Sequence, residues 1–231
     1  MQPQFDLSGY NASATLDVSR NKVLRNTYMM LGLTMIPTVI GALVGMTMNF
    51  GFMAASPILS AVVMLAIMMG LFFAISAMRN SAMGVVLLLV LTGFMGLMLG
   101  PVLQVALHLK NGGEIITLAA GGTGAIFLTL AGIATVTKKD FSFMGKFLMI
   151  GIVLLIVASL ANLFFQISAL ALTLSAAAVL LFSGFILFDV SRVVNGGETN
   201  YVMATLAIYL DIYNLFVNLL QLLMALLGQR E

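Results

Sequence analysis

The chain has no cysteine, one histidine and only 8% charged residues. The first absence excludes disulfides, thiolate metal sites and a cysteine nucleophile, and leaves the redox compartment open. The scarcity of charge is more decisive. A soluble domain carries about 25% charged residues. At 8% charged and 61% hydrophobic, this chain cannot cover its surface with polar groups in water, so lipid must solvate it. The net charge of +2 says little about partners, because position matters more than sum. What is abundant is methionine, with 18 residues. Met29-Met30 and Met68-Met69 lie inside apolar runs and not in a polar metal-binding loop, which points to flexible filler in a lipid-embedded bundle.

A polar tail over residues 1–26, with Arg20, Lys22 and Arg25, precedes the first apolar run. A signal peptide places its charged and apolar regions at the very start, so this tail is expected to be mature and cytoplasmic. The remainder, residues 27–231, reads as one transmembrane domain. Spans are expected near Thr27–Met48, Pro57–Met78, Met83–Leu107, Ile115–Val136, Gly145–Phe165, Ala169–Val190 and Tyr201–Leu227. Each is close to the ~20 residues a helix needs to cross the hydrocarbon. All seven must be helical, because an open sheet leaves its backbone unsatisfied in lipid. Pro37 is expected to kink the first span and Pro101 to bend the third.

Arg20, Lys22, Arg25, Arg79, Lys138, Lys139, Lys146 and Arg192 share one side of such a bundle, against Lys110 and Arg230 on the other. The positive-inside bias therefore predicts a cytoplasmic N-terminus and an outer C-terminus.

Eight carboxylates are present, and only Asp189 and Asp211 interrupt apolar segments. An ionisable group at membrane depth costs roughly 2.5–3.5 kcal/mol on insertion scales, so it faces the bundle interior and marks a function. Asp211, Asn214, Asn218 and Gln221 fall on one helical stripe of the last span. A polar stripe is costly against lipid, so the last helix is expected to be central, wrapped by the other six. Asn214 and Asn218 are its pore-stripe candidates.

Glycines form two further patterns. Gly96 and Gly100 in the third span, and Gly121, Gly122, Gly124 and Gly132 in the fourth, read as smooth faces for close helix approach, with a hinge as the other meaning. Asn111-Gly112-Gly113-Glu114 is echoed by Asn195-Gly196-Gly197-Glu198. That echo is either an inverted repeat or two independent turns.

Enzyme readings fail on their own motifs. Intramembrane aspartyl proteases carry Gly just before one aspartate, where this chain has Phe188 and Leu210. A rhomboid-type dyad needs a Ser–His pair, yet His108 falls at the outer end of the third span and Ser183 in the inner half of the sixth. No metal-ligand cluster or phosphate-cradling loop occurs, and NGGE is a turn. No enzyme activity, resident cofactor or nucleic-acid partner is expected.

The segments VLRNTYMMLGLT (23–34), LTGFMGLMLGPVL (91–103), TKKDFSFMGKFLMIGI (137–152) and FSGFILFDVSRVVNGGETNYVMATLAIYLDIYNLFVNLLQLL (182–223) resemble the Bax inhibitor (TMBIM) family, in particular its bacterial YccA-like branch. The resemblance implies an all-α fold of seven transmembrane helices with the last wrapped by the others. It implies that Asp189 and Asp211 match the proton-sensing pair of YetJ-type calcium leaks, holding calcium transiently as it permeates. The gate of such relatives includes an arginine on the second helix, for which Arg79 is the only candidate. The YccA-like branch differs at the acid positions and implies a second role, as substrate and modulator of the membrane protease FtsH.

Two carboxylates held close in a low-dielectric interior cannot both ionise cheaply, so they share a proton and titrate as a unit. Losing that proton frees oxygens suited to a hard cation such as calcium. The alternative is that Asp189 merely ends its helix among headgroups and Asp211 bonds to neighbouring helices. About a turn centred near residue 197, Asp211 lies about 9 Å further along its helix than Asp189 at 1.5 Å per residue. Pairing requires that offset to be absorbed.

Overall fold

The computed structural model describes residues 7–229, with side chains from Arg20 onward except at positions 52, 54 and 57. These residues form α1 (Leu7–Thr47), α2 (Gly51–Ala55), α3 (Pro57–Ala77), α4 (Ala82–Met98), α5 (Gly100–Leu107), α6 (Gly112–Thr137), α7 (Met144–Phe165), α8 (Ser168–Val194) and α9 (Tyr201–Leu227). Among the described residues no strand occurs, and seven segments are long and apolar enough to cross a membrane. Each matches an expected span to within a few residues at its apolar end. The first differs in how it begins: α1 starts at Leu7 and its apolar span at Arg20. Residues 7–26 of the expected tail are thus helical, while residues 1–6 lie outside the described part.

The two prolines behave differently. α1 runs unbroken through Pro37. The third span is divided at Leu99 into α4 and α5, with Pro101 in the first turn of α5. A proline is tolerated there because its missing N–H would have no intrahelical partner anyway.

Close backbone contact holds α1 to α4. Gly41 lies against the backbone of Gly93 and Leu97, Gly45 against Leu97 and Gly100, and Gly96 against Thr38. This is the small-residue packing read from the third span. The same reading for the fourth span needs correction. Nothing lies within 4 Å of a Cβ built at Gly121, Gly124 or Gly132; only Gly122 meets a neighbour, Leu219, at 3.1 Å. The reason is topological: α6 packs on α5, α8 and α9, and α1 meets it through the long Tyr28 side chain, at Phe127 and Thr135, and not backbone to backbone.

The last helix, α9, lies against α1, α3, α4, α5, α6 and α8, which are five of the other six spans. The remaining span, α7, packs on α8 alone. Polar side chains of α9 bind it to its neighbours. Tyr209 Oη lies 2.9 Å from Thr38 Oγ1 and donates to the Thr92 carbonyl, and Tyr213 Oη donates to the Met95 carbonyl at 3.1 Å. Asn200 caps the helix: its Oδ1 accepts from the N–H groups of Val202 and Met203, and its Nδ2 donates to the Arg79 carbonyl and Asn80 Oδ1. Near the other end, Gln104 Nε2 donates to the carbonyls of Gly45, Met46 and Met48, at and just beyond the end of α1, where carbonyls run out of intrahelical partners.

The two NGGE stretches adopt different structures. Asn111 precedes α6 and Glu114 sits in its first turn, whereas Asn195–Glu198 lies wholly in the turn after α8, with Gly196 at φ +78°. Opposite roles at helix ends favour two independent turns over a repeat.

The glycine contrast gives a stability prediction. Gly96→Ala should lower unfolding stability in detergent by about 1–3 kcal/mol, because its methyl meets the Thr38 backbone. Gly121→Ala should leave it unchanged or raise it by up to about 1 kcal/mol through helix propensity. Equal effects from both substitutions would contradict the packing described.

Candidate functional site

Asp189 lies near the end of α8 and Asp211 inside α9, on adjoining antiparallel helices. Measured from the helix ends, Asp189 is five residues before Val194 and Asp211 ten after Tyr201, an axial offset of about 8 Å at 1.5 Å per residue. Side-chain direction absorbs it. A helical Cα–Cβ bond leans toward its own N-terminus, so Asp189 leans away from the connecting turn and Asp211 leans back toward it. The two carboxyl groups come within hydrogen-bonding reach of each other. Two carboxylates have no donor between them, so a bond across this gap exists only when one carries a proton.

Their surroundings are unequal. Asp211 is only 6% exposed, and its Oδ2 has no hydrogen-bond partner among protein groups. Asp189 has a side chain 13% exposed and faces Arg192, whose Nη1 lies 3.4 Å from Asp189 Oδ1. The Arg192 guanidinium also sits 5.5 Å from the centre of the Phe188 ring. Glu198, in the following turn, is the other charged group acting on Asp189, whereas Asp211 is acted on by Asp189 alone.

The remaining candidates fall elsewhere. Arg79 is exposed beyond the end of α3, where its carbonyl receives Asn200; it is not among the groups acting on either acid. The arginine that reaches the pair is Arg192. Its i,i+3 spacing from Asp189 is the sequence signal for this contact. Asn214 and Asn218 are half-buried and donate their amides to the carbonyls of Leu210 and Asn214 on their own helix. Further along the stripe, Asn218 and Gln221 border a pocket of about 190 Å³ with Ser159, Asn162 and Ser175. His108 bonds through Nδ1 to the Gln104 carbonyl at 2.6 Å and is exposed.

The end of the bundle nearest the pair is tied together through backbone groups. Ser191 donates to the Lys139 carbonyl and accepts from the Phe141 N–H, and Asn195 Nδ2 also reaches the Lys139 carbonyl. In the same loop Asp140 accepts the Ser142 N–H at 2.8 Å. Hydrogen bonds from the Ser142 side chain and backbone hold that carboxyl below the usual carboxylate range. The Arg20 side chain packs on Gly196. Arg20, Arg79, Lys139 and Arg192 thus gather around one end of the bundle.

These features define a seven-span helical membrane protein with two acids facing each other between its last two spans. The model of the family described as "Inhibitor of apoptosis-promoting Bax1" matches residues 20–228, and the chain belongs to this Bax inhibitor family. It is 45% identical over 203 residues to an uncharacterised membrane protein of Vibrio cholerae, covering 88% of this chain and 89% of the relative. It is 42% identical over 228 residues to an uncharacterised protein of Neisseria meningitidis, with 98% and 99% covered. It is 41% identical over 207 residues to the Escherichia coli protein named "Modulator of FtsH protease YccA", with 89% and 91% covered. A second E. coli relative, at the same identity and coverage, is named "Inner membrane protein YccA".

A buried acid with an orphaned oxygen weakens the fold it sits in. An unsatisfied buried polar group costs about 1–3 kcal/mol, which an apolar residue of similar volume does not incur. Asp211→Leu should therefore raise unfolding stability in detergent at neutral pH by about 1 kcal/mol or more. A loss of that size would mean that Asp211 serves the fold itself.

Proposed function

We propose that this chain is a non-catalytic inner-membrane protein that lets cations, calcium first among them, leak through a path gated by the Asp189–Asp211 pair. The observation that carries this reading is the pair itself: two carboxyl groups facing each other at membrane depth, one with an oxygen no protein group satisfies. In the closed state the pair shares one proton, and that hydrogen bond holds α8 to α9. Raising the pH removes the proton, and two adjacent negative charges repel. The helices separate, and the freed oxygens suit a hard divalent cation. Arg192 stays paired with Asp189 in both states and limits the repulsion. The cluster of Arg20, Arg79, Lys139 and Arg192 supports a cytoplasmic position for this end by the positive-inside bias, with the C-terminus outside.

The sign of the pH effect follows. Calcium flux into liposomes holding the purified protein should rise as pH rises through the neutral range. Asp211→Asn keeps the size and supplies an amide donor but removes a titrating group, so flux should lose most of its pH dependence. Asp189→Asn should do the same, and the double variant should add little, because the two residues act as one unit. A well-folded Asp211→Asn protein with the wild-type pH profile would end the gate reading.

A second reading is favoured by the relative named as a modulator of FtsH protease: this chain engages the same kind of membrane protease. The polar residues ahead of the first span are the natural handle for such an enzyme, since termini are where proteolysis begins. Deleting residues 1–19 leaves the span from Arg20 intact and should lengthen the half-life of the chain in cells that contain FtsH. An unchanged half-life would count against this end as the handle.

A further inference from the structure

The α1 and α6 helices both pack on α9 and meet each other through the Tyr28 side chain, whose Oη lies 3.2 Å from Thr135 Oγ1 and whose ring packs edge-on against Phe127. Between them lies a cleft of about 910 Å³ open to the side, floored by α9 at Tyr209, Tyr213 and Phe216. On α1 it runs from Tyr28 to Leu43, a length of about 22 Å at 1.5 Å per residue. The walls are apolar and in places reduced to backbone: Gly32, Gly124 and Gly132 line it, and a Cβ at any of them would meet nothing within 4 Å.

One polar atom in this wall is unsatisfied. Thr123 is 5% exposed, and its Oγ1 has no hydrogen-bond partner. Thr117, Thr129 and Thr137 on the same helix each donate to the carbonyl four residues back, but Thr123 does not. It stands midway along α6, a membrane-spanning helix.

We infer that this cleft receives one transmembrane helix of a partner protein, the membrane protease of the modulator reading on which this inference rests. A lipid acyl chain fits the apolar walls but carries no hydrogen-bonding atom at mid-depth. A helix carries backbone carbonyls at every depth, and threonine hydroxyls bond across helices in membranes. Half of a cylinder about 10 Å across and 22 Å long has a volume of about 860 Å³, so the cleft matches a half-sunk helix. The chain shows how it treats such surfaces at α1 and α4, where Gly41, Gly45 and Gly96 bring two backbones into contact. The Gly32, Gly124 and Gly132 surface is of the same kind and lacks its second helix.

The test uses the full chain co-expressed with FtsH. A photo-crosslinking residue is placed at Val39 or Leu128 on the rim of the cleft, or at Leu154 on the lipid face of α7 as a control; these positions are 57%, 69% and 63% exposed. Rim positions should crosslink to FtsH and Leu154 should not. Gly124→Leu should cut co-purification at least about tenfold, equivalent to 1.4 kcal/mol. Thr123→Val should cut it about threefold, the size of an average interhelical hydrogen bond in a membrane, and Thr123→Ser should restore it. If FtsH co-purifies undiminished with both variants and no rim position crosslinks, the cleft assignment is overturned and the modulator reading stands. Should FtsH not co-purify with the wild-type chain, the modulator reading falls and this inference with it. Rim crosslinks only to lipid, or only to a second copy of the chain, overturn the assigned occupant. Because the crosslinking and Thr123 variants alter single side chains at tolerant positions, a folding failure of Gly124→Leu does not remove the test.

Discussion

Within hydrocarbon, each polar group must find its partner inside the protein, and this constraint shapes the whole molecule. It is why the spans are helices and why most span threonines donate to their own backbone. It also accounts for Gln104 covering the open carbonyls at the end of α1 and for Tyr209 and Tyr213 reaching carbonyls of α4. Against that background, two buried side-chain atoms among the described residues lack a partner: Asp211 Oδ2 and Thr123 Oγ1. They sit on different sides of the central bundle, one at the α8–α9 contact and one facing the cleft between α1 and α6. These two oxygens are the observations on which the two proposals rest, a shared proton or cation at the first and a partner helix at the second.

Both readings can hold in one molecule because they use different faces of α9. Its Asp211 face meets α8, and its Tyr209 and Tyr213 rings lie toward α1, α4 and the cleft. A helix seated in the cleft would press on α9 opposite the acid pair, so occupancy and gating would act on the same element. Arg192 belongs to the same design. Paired with Asp189 at 3.4 Å, it keeps one acid anchored while the other depends on its neighbour.

The seven spans were legible because length and apolar content are properties of single segments, and lipid permits no other secondary structure. The two acids stood out for the same reason: each interrupts an apolar run. What could not be read was how segments meet. Gly96 and Gly121 carry the same local signal, yet only Gly96 lies against another backbone, because chain order does not reveal that α1 packs backbone to backbone on α4 but meets α6 through the Tyr28 side chain. The offset between Asp189 and Asp211 argued against their meeting when only the helical rise was considered; the opposed lean of the two side chains closes it. Arg79 was chosen as the gate arginine by likeness to other proteins, whereas Arg192 is the one within reach, three residues along the same helix. Asn214 and Asn218 share a stripe with Asp211, but their amides bond along their own helix, which periodicity alone cannot distinguish from lining a path.

The central claim is that Asp189 and Asp211 hold one proton between them and that its loss opens the leak. Infrared difference spectroscopy of the protein in lipid, titrated over pH, tests it most directly through the stretch of a protonated carboxyl group shielded from water. The account predicts one such group per molecule, missing when both acids are replaced by asparagine, and lost over the same pH range in which calcium flux rises. No such signal in the wild-type protein, or one whose loss does not follow the flux, would contradict it.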